Sequence, residues 1–234
     1  LDHDVLDVTT DELEKWLDRG ALAPQTRYTY VAYIAAFFGW AVKARLIRVD
    51  PTEAMVRPKL PKRVPRPWDE ADMGSVLGEA DPRMRCWLLM AHLCGCRVME
   101  RAALQVEDIH RDQGVVLLHG KGDKERLVPL HPLLLDALTK YGLPKHGYVF
   151  RRKDGKPYKP GTISRYVGKF LDAQGIDARA HQGRHAFATN AYRASGGDIR
   201  LVQDLMGHAS PASTAIYAAW APERSAKIVG QLTL

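Results

Sequence analysis

The sequence predicts a mainly α-helical protein in two parts: a small helical domain, then a larger mixed domain whose helices accompany a small antiparallel β-sheet. Three observations carry this. Apolar residues recur at helical spacing on both sides of one break. The break itself is "RPKLPKRVPRP", where prolines 58, 61, 65 and 67 favour an extended, stiff segment over any regular element. Only once does the period change, to the β-branched runs "QGVVLLHG" and "ERLVPL" around the turn "KGDK". The division is therefore a helical domain over 1–58, a basic Pro-rich linker over 59–67 and a larger domain over 68–234.

In chain order, Thr9 or Thr10 caps a helix that runs to about Arg19. A longer helix follows Pro24, with Val31, Ile34, Phe37, Phe38 and Ala41 close to a single apolar stripe. Its first turn, "PQTRYTY", is polar on the outer side. After the linker come helices near 69–79 and 82–94, and another from about Arg97. The two β runs form a hairpin, and "GYVF" at 147–150 either adds a short strand or leads into a basic loop. From Gly161 onward the pattern is helical again.

Composition narrows the function classes. Hydrophobic residues make up 46% and charged ones 26%, ordinary for a globular protein. No apolar run approaches a membrane span, and the acidic start "LDHDVLDVTTDELEKWL" is no signal peptide. Three cysteines argue against a disulfide framework and fit a reducing cytoplasm. The net charge of +7 is unevenly spread: residues 57–66 hold five basic groups and no acidic one, and residues 140–170 hold nine with only Asp154 against them. One such cluster suits a solvated face; two separated clusters, one of them a tether, point to a polyanion such as nucleic acid. The residues that would meet it are Gln25, Thr26 and Arg27 at the helix start, Lys59, Lys62 and Arg63 in the tether, and Arg151, Arg152, Lys153, Lys159 and Arg165 in the second cluster.

The stretch "HQGRHAFAT" at 181–189 places Arg184 between two histidines where a helix begins. His181 and His185 share a helix face at i, i+4, the spacing of a zinc pair. The metalloprotease pattern needs Glu after the first His, where this chain has Gln182. "CGC" at 94–96, with Cys86 and His92, is a poor structural zinc set. Neither zinc nor stray surface histidines accounts for Arg184; an anion site does.

Four segments together resemble the tyrosine recombinases, the phage-integrase family, from about residue 9 to the C-terminus. "CGCRVMERAAL" is similar to that family's first arginine box and implies a catalytic Arg97 supported by Glu100. "GKGDKERLVPL" resembles the hairpin carrying the catalytic lysine, Lys121. "HQGRHAFAT" matches the His-x-x-Arg box, giving His181 and Arg184, and "VQDLMGHASPASTAIYA" matches the closing segment, giving His208 and the nucleophile Tyr217. The resemblance implies the tyrosine recombinase catalytic fold, with 1–58 as a domain that binds core DNA.

It also implies a chemistry that these residue types suit. Two arginines offer paired donors to the non-bridging oxygens of a phosphodiester. A phenol with an ordinary pKa of about 10 needs a base or a positive field to attack at neutral pH, and His181 and the arginines are the local candidates. Lys121 is the general acid for the leaving 5′-oxygen. The product is a 3′-phosphotyrosine and a free 5′-hydroxyl, with neither metal, ATP nor any other cofactor required. The implied partners are double-stranded core attachment sites, a homotetramer formed on DNA from free monomers, and accessory DNA-bending proteins; the setting is a bacterial host cytoplasm, with no membrane role. The tail "APERSAKIVGQLTL", with Ile228, Val229 and Leu232 at helical spacing, docks on a neighbouring subunit or on its own domain.

Two departures from the family stand out. Gly183 replaces a bulky apolar residue, which predicts a looser second box. The first domain is short, lacking a further helix and any arm-site domain, so the chain is either trimmed or a minimal integrase confined to core sites. The competing functions are a type IB topoisomerase-like relaxing enzyme and a DNA-binding relative without catalysis.

Overall fold

The computed structural model describes residues 4–56, 68, 70–120, 122 and 124–207. The chain divides into two compact units, Leu1–Arg63 and Val64–Leu234. Helix dominates both.

In the first unit, α1 (Thr10–Asp18) starts at a capping box in which Thr9 accepts from the Glu12 backbone N–H and Glu12 accepts from that of Thr9. α2 (Pro24–Lys43) starts with proline at its first position, where a missing N–H costs nothing. Leu13 and Leu17 of α1 pack with Val31 and Phe38 of α2 around Val8 and Met55. The α2 stripe differs from expectation at Phe37, which is 38% exposed. Phe37 lies beside the buried seam and instead lines an apolar groove of about 330 Å³ with Val5, Trp16 and Tyr33.

The second unit is built on α4 (Pro82–Cys94), a helix buried nearly all round through Cys86, Trp87, Leu88, Leu89, Met90 and Ala91. Asp81 caps its start, accepting from Met84 N–H at 2.7 Å, and Gly95 ends it in the left-handed region at φ 58°. Around it stand α3 (Glu70–Glu79), α5 (Val98–Ala103), α6 (Pro132–Tyr141), α7 (Pro160–Ala173), α8 (Gln182–Ala194) and α9 (Ile199–Met206).

The sheet is antiparallel in the order β1 (Ile109–His110), β2 (Val115–His119), β3 (Glu125–Pro129). Val116 and Leu118 of β2 face the core with Val128 of β3. The β2–β3 hairpin is the one expected; β1 is an addition. The stretch 147–150 forms an isolated bridge between Tyr148 and Gln105 and no strand. Among the described residues no helix is long and apolar enough to cross a membrane.

Candidate active site

The turn after α4 sets the position of Arg97. Arg97 is the residue that caps α5, and its backbone N–H donates to Glu100 Oε2 at 2.7 Å. Its guanidinium donates to Glu100 Oε1 at 2.9 Å and to the Gly207 carbonyl at 3.2 Å. Glu100 thus orients Arg97 from one helical turn away, but it answers to a second cation more fully. Arg126 on β3 donates to both carboxylate oxygens, at 2.7 and 2.8 Å, and through Nε to the Leu205 carbonyl at 2.9 Å. The Glu100 side chain is 1% exposed. Burial alone would favour its neutral form, yet the bonds and charge of Arg126, joined by those of Arg97, hold the carboxyl at about 2 against an ordinary 4.5.

Sequence reasoning named Glu100 but missed Arg126. The signal was present: strand alternation puts Arg126 on the same face as buried Val128, opposite Leu118, and an inward cation calls for a buried acid.

The second box follows Ala180. His181 caps α8, and Arg184, one turn on, is 2% exposed. Its guanidinium donates to Gly95, where the left-handed turn presents a carbonyl, and to Met206 at 2.6 Å. Arg97 and Arg184 therefore converge on two consecutive carbonyls, Met206 and Gly207, at the end of α9. His181 keeps an exposed edge, but surrounding protein matter still disfavours its imidazolium, and the charges of Arg184, Arg101 and Arg97 push the same way. His185, 4.7 Å from the His181 ring, is pushed down to about 4, first by burial and then by His181 and Arg184.

The looseness expected of Gly183 is not what the fold shows. A Cβ there would lie 2.5 Å from the Trp68 ring and 2.8 Å from Ala91. Trp68 is 5% exposed, donates its indole N–H to the Arg179 carbonyl at 3.2 Å and stacks along His92. The missing side chain is replaced by an indole from the start of the unit.

Between the hairpin and α9 lies a cleft of about 950 Å³, walled by Arg97, Gly120, Lys124, Arg126, Gln203 and Gly207. Gly120 N–H donates to the Lys124 carbonyl at 2.6 Å, closing the turn whose sequence includes Lys121. A Cβ on Gly120 would stand 3.8 Å from Glu100 Oε1, so the turn abuts the arginine network. Lys121, His208 and Tyr217 lie outside the described residues, as do the tail and the tether lysines Lys59 and Lys62 with Arg63. Gly207, the last described residue, is the sequence neighbour of His208.

Of the expected DNA-contacting residues, Arg151, Arg152 and Lys153 are exposed on one loop leading to Lys159, which caps α7. Arg165 is exposed on α7, and Arg152 is ion-paired with Asp154. In the first unit Gln25 is exposed and Thr26 half-buried, while Arg27 is held by Asp18 of α1. Among the described residues no three His, Cys, Asp or Glu are grouped as metal ligands, and all three cysteines are buried thiols.

The described geometry is a cleft at the meeting of a hairpin turn and a helix end, lined by Arg97, Lys124 and Arg126 together with Glu125 and Asp204. Residues 69–224 match the Phage integrase family model. Tyrosine recombinase XerD of Pseudomonas putida is 32% identical over 229 residues, 90% of this chain and 76% of that protein. XerD of Proteus mirabilis is 33% identical over 241 residues, 94% of this chain and 76% of that protein. Among solved structures, the integrase from mycobacterium phage Brujita is 29% identical with a TM-score of 0.58, covering 95% of this chain and 77% of that one. XerH site-specific recombinase bound to a palindromic difH substrate shares the fold at 21% identity and a TM-score of 0.77, covering 97% of this chain and 73% of that one. By these matches the chain belongs to the phage integrase family of tyrosine recombinases.

Proposed function

We propose that this recombinase cleaves and rejoins double-stranded DNA at the cleft beside Arg97, through a covalent phosphate ester on Tyr217. The observation that supports it most is the convergence of Arg97 and Arg184 on the end of α9, immediately before the segment that holds His208 and Tyr217. Two guanidiniums held at one helix end form a ready anion seat. A phosphate is a stronger acceptor than a peptide carbonyl, so an arriving phosphodiester would compete for the N–H groups now given to Gly207 and Met206.

In this reading Tyr217 attacks the phosphorus and its phenolic proton leaves to His181, whose neutral form burial and then the neighbouring charges favour. The bond from phosphorus to the 5′-oxygen breaks, and that oxygen takes a proton from Lys121. Arg97, Arg184 and His208 stabilise the charge that grows on the non-bridging oxygens; removing one such donor typically costs ~3–4 kcal/mol in the barrier. Attack by a 5′-hydroxyl from a partner strand reverses each step and releases Tyr217. The exposed basic loop at 151–159, the tether and the start of α2 would track the DNA backbone. The working assembly is a homotetramer on two core sites in a bacterial cytoplasm, monomeric when free.

The test is a nicked suicide substrate carrying candidate attachment DNA. The expected result is a covalent adduct mapping to Tyr217, with Tyr217→Phe still binding DNA but forming none. An adduct on Tyr166, which is exposed, or on Tyr192, which is packed against Val202 and Met206, overturns the assignment.

A further inference from the structure

Arg101 is the most unusual charge in the described fold. It sits on α5 one turn after Arg97, and it is 0% exposed. Its Nη1 donates to the Trp87 carbonyl of α4 at 2.8 Å, and its Nη2 reaches the Ala180 carbonyl at 3.5 Å. Its Nε has no hydrogen-bond partner, and among the described residues no carboxylate pairs with it. The adjacent acid, Glu100, is already committed to Arg126 and Arg97. A buried cation without an anion is costly, and an apolar side chain of similar size would serve packing better. Packing therefore does not explain it.

Its second acceptor does. Ala180 immediately precedes His181, so the guanidinium, firmly bonded to the Trp87 carbonyl at 2.8 Å, also makes a longer contact of 3.5 Å with the backbone entering α8 at the residue before the proposed base. We propose that Arg101 is a positioning residue for His181, contacting the carbonyl of the preceding Ala180 and adding a buried positive charge near the ring. Arg101 is too deeply buried to touch DNA, so it acts only through its neighbour. The charged and titratable groups facing His181 are Arg184 and His185 on α8, Arg97 at the start of α5, and Arg101 itself. Three of the four are permanent cations, and Arg101 is the one among them that no phosphate can neutralise directly. After burial and the charge of Arg184, it adds to the forces that hold His181 below its ordinary value, favouring the neutral ring that can accept a proton. This inference rests on the reading of His181 as a site residue.

The experiment titrates His181 in the free full-length protein by NMR of its ring protons, in the wild type and in Arg101→Met and Arg101→Lys. The expected midpoint rises in Arg101→Met, which removes the charge, and returns towards wild type in Arg101→Lys. Suicide-substrate cleavage by Arg101→Met is expected to fall roughly tenfold near neutral pH, with its acid limb displaced upward, a fraction of what a general base contributes. Should Arg101→Met fail to fold, Arg101→Gln keeps a donor for Ala180, removes the charge and carries the same titration. An unchanged His181 midpoint in a folded neutral variant overturns the proposal. The titration needs no DNA, so that outcome is separate from failure of the functional reading, which a wild-type-like His181→Ala would show.

Discussion

The four arginines on the hairpin side and the α8 side of this region hold their charges by different means. On the hairpin side, Arg97 and Arg126 share one buried acid, Glu100, in four side-chain and backbone bonds between 2.7 and 2.9 Å. On the α8 side, Arg101 and Arg184 donate to main-chain carbonyls of Trp87, Ala180, Gly95 and Met206. A carboxylate fixes a guanidinium and also cancels most of its field. A carbonyl fixes the same fork and leaves the charge in place, as it does at Arg101. The first side is built for stiffness and the second for potential, and under the proposed function a site that attracts a phosphate and survives its departure uses both.

The largest expected effect comes from breaking the stiff side. Glu100→Gln leaves two cations without their anion in a buried setting, a change that typically costs ~3–5 kcal/mol. Chemical denaturation should show that loss, whereas Arg101→Met, with no acid to strand, should change stability far less. Protons make the same cut. Glu100 is depressed in the fold to about 2 from an ordinary 4.5, so its contribution is complete above 4.5 and drains away as pH falls through about 2. The wild type should lose stability over that window and Glu100→Gln should not. Equal acid sensitivity in the two proteins would dissolve the contrast between the sides.

The parts of this arrangement differ in how openly the sequence shows them. Helices α1, α2 and α4 are legible because each is self-contained, with a cap or proline at its start and apolar spacing along it. The hairpin is legible from its period and its turn. Strand β1 is two residues long and exists only by pairing with β2, so no local pattern announces it. Arg126 is readable from strand alternation. Arg101 is not: within "CGCRVMERAAL" it looks like an ordinary surface base, and its burial depends on carbonyls 14 and 79 positions away. A site's residue types can be read from a chain; which of them lose water cannot, until distant segments are brought together.

Gly183 shows the same limit with a smaller energy attached. On propensity alone, Gly183→Ala should stabilise α8 by up to ~1 kcal/mol. Sterically, the new Cβ meets the Trp68 ring at 2.5 Å and Ala91 at 2.8 Å, and overpacking of that kind costs ~1–3 kcal/mol. The clash should win, and Gly183→Ala should be less stable than wild type. Trp68→Ala should remove most of the penalty, so that a double-mutant cycle returns a coupling near the size of the clash. A stabilised Gly183→Ala would mean that the indole yields freely and that the α8 side is softer than its packing indicates.

The smallest expected effect lies at the turn end of the hairpin and has the opposite pH sign to Glu100. His119 ends β2, with Nε2 2.9 Å from Asp108 Oδ1 and Nδ1 2.9 Å from Glu125 Oε1. The hydrogen bond with Asp108 raises its pKa above the ordinary 6.5, against a partial burial that opposes the charge, with the charges of Asp108 and Glu125 assisting. A raised folded value means that the stabilisation is complete below 6.5 and is lost as pH climbs through that higher value. The side chain is 44% exposed, so solvent and salt screen both bonds and the contribution stays below ~1 kcal/mol. Urea unfolding of wild type and His119→Gln should therefore differ at pH 5.5 and converge by pH 8.5, and the gap at the lower pH should shrink in 1 M salt. Because Asp108 also accepts from the Gln105 backbone N–H at 2.9 Å, it stays ordered when the histidine is gone, and the comparison isolates the ring. A gap that is the same at both pH values would mean that folding leaves the His119 pKa unshifted, so that neither Asp108 nor Glu125 selects the charged ring.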